Sequence, residues 1–287
     1  MIRVFIDNND GIANIVQKIP IFAAVKKMND IIRPVAAELA QFEAYFAQTM
    51  KADTEPMDSI MKYAQESRGK RLRPVLVLLG AKLFGEINEQ TLRAATFVEM
   101  VHSATLIHDD VVDNAEQRRD KASVKAQFGN LSAVLAGDYL LAKAILLISQ
   151  PGDYVILQEM LHTAATMSEG ELMQDASFGR PDGRPNDGYL DIITRKTAML
   201  MRSCCVAGAL SVDASAEQVQ HIADFGLNFG ILFQLRDDLL DGENTEQAKA
   251  LLPSYYEKTL KALEGFAPSE ITKALKDLTV FCAERKE

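Results

Sequence analysis

An all-α fold, one bundle of about ten helices, is the fold class this sequence predicts. Three observations carry that prediction. Apolar residues recur at three- and four-residue steps through most of the chain, the spacing of one helical face. No stretch shows convincing strand alternation or a hairpin signal. The composition, with no Trp and 11 Met among 287 residues, suits an adaptable helical core better than a β-sandwich.

The elements follow in order. Helical periodicity opens at Met28, in MNDIIRPVAAELAQFEAYF, and runs through 29–50. Residues 1–27 read as an N-terminal extension or a misassigned start, and 28–287 as one domain. A short helix is predicted over 57–67. Another runs from Arg71 to Phe84 and is stopped by Gly85. Residues 89–113 form a long apolar helix ending in acids. The polar stretch 117–130, with Gly129, reads as loop. Helices follow at 131–149, stopped by Pro151-Gly152, and at 154–175. GRPDGRPNDG, residues 179–188, is the clearest long loop. Both flanking helices are hydrophobic, so it reads as a connection within one bundle. Long helices are predicted over 189–210 and 216–241, and two more near 246–264 and 269–285.

Composition excludes some functions. A net charge of −9 and a pI of about 5.1 argue against sequence-independent nucleic-acid binding, which rests on Lys and Arg meeting phosphates. They do not exclude anionic substrates, because metal ions invert the local field. Cys204, Cys205 and Cys282 show no zinc-site spacing, so a reduced, cytoplasmic setting is the default. No apolar run reaches the roughly 18 residues of a membrane span. The N-terminus lacks the pattern of a signal peptide.

The chemistry concentrates in a repeated acidic pattern. LIHDDVVD carries Asp109, Asp110 and Asp113; QLRDDLLD carries Asp237, Asp238 and Asp241. Each copy ends a long apolar helix. Positions i and i+4 lie on one face, about 6 Å apart along the axis, so Asp109 pairs with Asp113 and Asp237 with Asp241. Carboxylates at a helix C-terminus oppose its dipole by roughly 0.3–1 kcal/mol each. A solvated helix end is the ordinary explanation of one such cluster. Two copies call for a counter-charge, and Mg²⁺ held by one or two carboxylates plus substrate phosphates supplies one. Lys70, Arg71 and Arg73 crowd a helix start, where cations are unfavourable for the dipole; an exposed basic helix start is the ordinary explanation. His102 alone reads as a satisfied core histidine, as do His108, His162 and His221.

Six ordered motifs give the chain a resemblance: GKRLRP (69–74), EMVHSATLIHDDVVDNAEQRR (99–119), FGNLSAVLAGDYLLA (128–142), EGELMQ (169–174), RKTAML (195–200) and FGILFQLRDDLLD (229–241). The chain resembles the trans-isoprenyl diphosphate synthases, or polyprenyl synthetases, of medium- or long-chain type. That resemblance implies an isoprenoid-synthase-type helical bundle around a central cavity. It implies Mg²⁺, three ions per active site, held by Asp109 and Asp113 from one wall and by Asp237 and Asp241 from the other. Asp110, Asp238 and Lys196 join Asp109, Asp113 and Asp237 as implied catalytic residues. Arg118, Lys196, Thr197 and Gln234 would contact the allylic diphosphate; Lys70, Arg73, His102 and Arg119 would bind isopentenyl diphosphate. The implied reaction is ionisation, condensation and elimination, without a side-chain nucleophile. Val101 and Ala104 fall where the family limits product length, and small residues there predict a product longer than farnesyl. Family members commonly form homodimers, which is the implied assembly.

The chain departs from the family in three places. The usual RRG reads Arg118-Arg119-Asp120. The usual GGK reads Arg68-Gly69-Lys70. A segment that normally follows the second cluster is missing after Asp241, so the domain reads as shortened there. A non-catalytic or partner-dependent subunit of a heteromeric synthase, and a terpene cyclase of the same fold, are the competing readings.

Overall fold

The computed structural model describes residues 28–66, 69–178 and 188–285, with only the backbone for 175–178. The N-terminal extension and most of the Gly/Pro loop lie outside the described residues.

The described chain is helical almost throughout. Three elements lead in: α1 (Met28–Ile31), α2 (Ala36–Thr49) and α3 (Glu55–Glu66). Then come α4 (Leu72–Lys82) and the long α5 (Glu89–Val112). Asn88 caps α5 by accepting from the Thr91 backbone N–H, while the Thr91 hydroxyl accepts from the Asn88 N–H. This box fixes where α5 starts, and so where its acidic end falls.

The stretch read as loop is more structured than expected. Gln117–Arg118 and Lys121–Ala122 form β1 and β2 of a two-residue hairpin, and α6 (Val124–Phe128) follows under a Ser123 cap. Strands this short leave no alternation to read in the sequence. Arg119 and Asp120, at φ +51° and +63°, form the hairpin tip. Two left-handed residues in a two-residue loop are the type I′ geometry that favours Gly at the second position. Asp is among the few other residues that adopt this conformation readily, so Asp120 keeps the turn where the family has Gly.

Next are α7 (Asn130–Ile148), α8 (Tyr154–Phe178) and α9 (Tyr189–Ile193). A π-helical turn, Thr194–Ala198, joins α9 to α10 (Met199–Leu210) where the sequence predicts one continuous helix. The chain then runs through α11 (Ala216–Asp241), α12 (Thr245–Lys261) and α13 (Glu270–Glu284). Ser215 and Gln218 form a second capping box at the start of α11.

The core lies between α4, α5, α10 and α11, and Phe97, Phe225 and Phe229 are fully buried within it. Helix α7 packs along α5. By length and composition it is apolar enough to cross a membrane, with a mean hydropathy of 1.8, although Asp138 and Lys143 interrupt the apolar run. One third of it is buried in the bundle, and Leu131 and Leu146 are more than two-thirds exposed.

Candidate active site

Each acidic cluster divides into tied and free carboxylates. In the first, at the end of α5, Asp110 is buried. Its Oδ1 accepts from Arg118 Nε at 2.9 Å and Nη2 at 2.6 Å. That bond joins the helix end to the hairpin. Asp109 and Asp113 have no side-chain partner among the described residues. Burial, and secondarily Glu171, pushes the Asp109 carboxyl up to about 6 from 3.8, against the opposing pull of Lys196.

The second cluster repeats the division. Asp238 is buried; its Oδ2 accepts from the Tyr189 hydroxyl at 2.5 Å and its Oδ1 from Gln234 Nε2 at 2.7 Å. Gln234 Oε1 in turn accepts from the Thr197 hydroxyl at 2.7 Å. Asp241 is exposed and, among the described residues, has no side-chain partner. Asp237 pairs with Arg285, through Oδ1 and Nη2.

The π-turn places Lys196 and Thr197 between the clusters. Two glycines allow this. A Cβ on Gly170 would meet the Lys196 backbone N at 2.9 Å, and one on Gly230 would meet the Ala198 Cα at 2.5 Å. Helices α8 and α11 therefore approach the turn at backbone distance. Lys196 Nζ then donates to Glu171 at 2.7 Å and to Gln174 at 3.0 Å. The extra residue of a π-bulge redirects side chains, a device common at functional sites. Lys196, Thr197, Gln234, Asp238 and Tyr189 line one cavity of about 370 Å³.

A basic wall lies on the other side of the first cluster. Arg73 Nη1 lies 2.9 Å from His102 Nε2. Burial, together with the guanidinium groups of Arg73, Arg119, Arg118 and Arg71, pushes the His102 pKa well below its ordinary value, so the ring is neutral. Nε2 then accepts from Arg73, and Nδ1–H is left as a donor. Arg73 Nε and His102 Nδ1 are both sealed from solvent without a partner among the described residues. Such unmet donors are rare in folded proteins and call for an acceptor. Arg119 packs over Gly69, whose added Cβ would meet its guanidinium at 2.7 Å. His102, Arg118 and Arg119 share a second cavity with Asp110. Lys70 is exposed at the start of this wall. Arg71 serves the fold instead: it pairs with Glu43 at 2.8 Å and Glu99 at 2.5 Å and lies over the Phe46 ring.

Comparison with known proteins identifies this arrangement. The polyprenyl synthetase family model matches residues 54–250. The chain belongs to the polyprenyl synthetase family. Its relatives include the octaprenyl diphosphate synthase of Escherichia coli K12, 30% identical over 80% of this chain and 73% of the relative. The geranylfarnesyl diphosphate synthase of Methanosarcina mazei is 33% identical over 81% of this chain and 80% of that one. A polyprenyl synthase of Caulobacter crescentus CB15, solved with calcium and isoprenyl diphosphate, superposes with a TM-score of 0.84 at 25% identity. That match covers 92% of this chain and all of the other. This polyprenyl synthetase is accordingly a trans-prenyltransferase with the all-α isoprenoid-synthase fold.

A divalent cation fits the carboxylates of this polyprenyl synthetase in one specific way. No group of three or more His, Cys, Asp or Glu among the described residues could hold a metal by itself. Asp109 and Asp113 form a free pair, and Asp241 stands free one turn from Asp237; one or two carboxylates of this kind, with substrate phosphate oxygens, suit Mg²⁺. A proton at Asp109 competes with such an ion, because ligands must be deprotonated. Mg²⁺ affinity is therefore expected to fall about tenfold per pH unit below 6. For the metal-free protein the sign is opposite. A carboxyl raised in the folded state contributes stability that is full below 3.8 and lost as pH rises through about 6. Calorimetric Mg²⁺ titrations and melting curves from pH 5 to 8, with Asp109→Asn as control, check both.

Four residues at this site escaped sequence reasoning. Glu171 lay within the EGELMQ motif but carries no charge pattern of its own. Glu99 precedes the acidic cluster by too many turns to be linked to it. Tyr189 and Arg285 had no local signal. The turn after Asp241 is short: Gly242 at φ +77° closes α11, and α12 begins at Thr245. Val101 and Ala104 are buried on α5, deeper than Asp109.

Proposed function

We propose that this enzyme elongates an allylic diphosphate, such as farnesyl diphosphate, by Mg²⁺-dependent head-to-tail condensation with isopentenyl diphosphate. The observation that carries the reading is the split within each cluster. Asp110 and Asp238 are held by protein donors, while Asp109, Asp113 and Asp241 are free of them among the described residues. Asp110 and Asp238 then act as positioning residues that orient their neighbours. Asp109, Asp113, Asp237 and Asp241 are the ligands proposed for three Mg²⁺.

The chain's own groups divide the remaining work. Lys196 and Thr197, with Gln234 and Arg118, receive the allylic diphosphate. Arg73, His102, Arg119 and Lys70 receive isopentenyl diphosphate; the unmet donors at Arg73 Nε and His102 Nδ1 support that assignment. Bound Mg²⁺ supplies the charge that stabilises the departing diphosphate. Lys196 adds a fixed cation where that charge develops. The proton lost at the end of condensation passes to the departed diphosphate, the nearby free carboxylates being assigned to Mg²⁺.

Exposed apolar residues along α7 and the start of α8, among them Leu131, Leu135, Leu146 and Tyr154, support a homodimer through that face. The three cysteines are free and buried, which suits a cytoplasmic enzyme. A relative named component 2 of a heptaprenyl diphosphate synthase, from Geobacillus stearothermophilus, keeps the partner-dependent reading in the test.

Incubation of the purified chain with Mg²⁺, isopentenyl diphosphate and farnesyl diphosphate is expected to yield trans-polyprenyl diphosphates longer than farnesyl. No elongation, alone or with a partner subunit, would contradict the proposal. Ala104→Phe is expected to shorten the product by one or more isoprene units, read by chromatography of the dephosphorylated alcohols. An unchanged product would sink the chain-length role of Ala104 and Val101. Ala104 is fully buried, so overpacking by about 1–3 kcal/mol accompanies the change, and a melting curve must show the variant folded.

A further inference from the structure

Arg285 lies far from both clusters in sequence, yet its guanidinium reaches Asp237. The side chain is 11% exposed. Its guanidinium lies 4.3 Å from the Phe233 ring centroid, and Nη2 also donates to the Phe233 carbonyl at 3.3 Å. Its own carbonyl accepts from Arg236 Nε at 2.9 Å. The end of α13 and the last turns of α11 are thus clasped from both sides. The short turn after Asp241 makes this possible, because α12 and α13 fold back directly on α11.

A buried guanidinium is expensive to place unless it is paired, and Arg285 Nε has no partner among the described residues. What the arrangement provides is a fixed cation beside Asp237, a carboxylate crowded by Asp238 and Asp241. Only Oδ1 is engaged, and Oδ2 is left without a described partner.

We propose that Arg285 is the positioning residue of the second aspartate cluster: it fixes Asp237 through one oxygen and leaves the other for a divalent cation. The chain thereby supplies a cation beside the second cluster from Arg285, just past the end of α13. This rests on the Mg²⁺–diphosphate reading of the site. Groups that orient metal ligands in this way typically change metal affinity by about 10–100-fold when removed.

The test is a calorimetric titration of Mg²⁺ in the presence of inorganic diphosphate, on wild type, Arg285→Gln and Arg285→Lys. Arg285→Gln is expected to weaken Mg²⁺ binding at least about tenfold, and Arg285→Lys, which keeps the charge, to restore part of it. The KM for isopentenyl diphosphate is expected to stay unchanged in both. Equal or tighter Mg²⁺ binding in Arg285→Gln overturns the proposal, since it makes Arg285 a bystander or a competitor of the metal. Should Arg285→Gln fail to fold by its melting curve, Arg285→Met, which keeps packing on Phe233 but has no donor for Asp237, decides: wild-type Mg²⁺ affinity there overturns the orienting role. No Mg²⁺–diphosphate binding by wild type itself would contradict the function reading instead.

Discussion

Asp109→Ala and Asp237→Ala are each expected to lower kcat by at least about 10³-fold while the protein stays folded. Removing one preorganised group that stabilises developing charge typically costs 10²–10³-fold in rate. Each of these carboxylates serves an ion that would stabilise more than one phosphate oxygen, so the loss lies at the upper end or beyond. Neither change leaves a buried donor unmet in the metal-free protein except at Arg285, which loses its partner on Asp237→Ala. Asp109→Ala removes a half-buried, repelled carboxylate, so its melting temperature is expected to hold or rise at neutral pH. Turnover measured beside the melting curve separates a lost ligand from a lost fold. Asp109→Ala with near-normal turnover would remove the first cluster from the mechanism.

Gly230→Ala is expected to damage stability and activity together. The added Cβ would sit 2.5 Å from the Ala198 Cα and 2.9 Å from its Cβ, and backbone cannot yield as a flexible side chain does. Overpacking of this kind costs about 1–3 kcal/mol, occasionally more. For a chain of this size that lowers Tm by roughly 2–10 °C. The strain falls on the π-turn, so Lys196 and Thr197 move away from Glu171 and Gln234. A kcat loss exceeding what the remaining folded fraction explains is the expected result. A stable variant with full kcat would show that the π-turn does not set the position of Lys196.

The free aspartates were legible because i and i+4 place carboxylates on one face whatever surrounds them. Helix ends were legible for the same local reason, through the breakers Gly85 and Pro151-Gly152; the capping boxes at Asn88 and Ser215 were not read from the sequence. The difference between Asp109 and Asp110 was not. It depends on Arg118 arriving through a hairpin whose strands are two residues long, and whose tip carries Asp120 where a Gly would have signalled the turn. The π-turn was invisible because ITRKTAML continues the apolar spacing of its neighbours, and only the backbone approach of α8 and α11 reveals it. Arg285 is set by the return of α13 onto α11, a tertiary fact with no local trace.

The carboxylates of the two clusters are proposed to recognise a diphosphate only through a divalent cation. Calorimetry with farnesyl thiolodiphosphate, an unreactive allylic analogue, tests it directly. Binding is expected in the presence of Mg²⁺, none in EDTA, and loss in both Asp109→Ala and Asp237→Ala. Binding of equal strength with and without Mg²⁺ would contradict it.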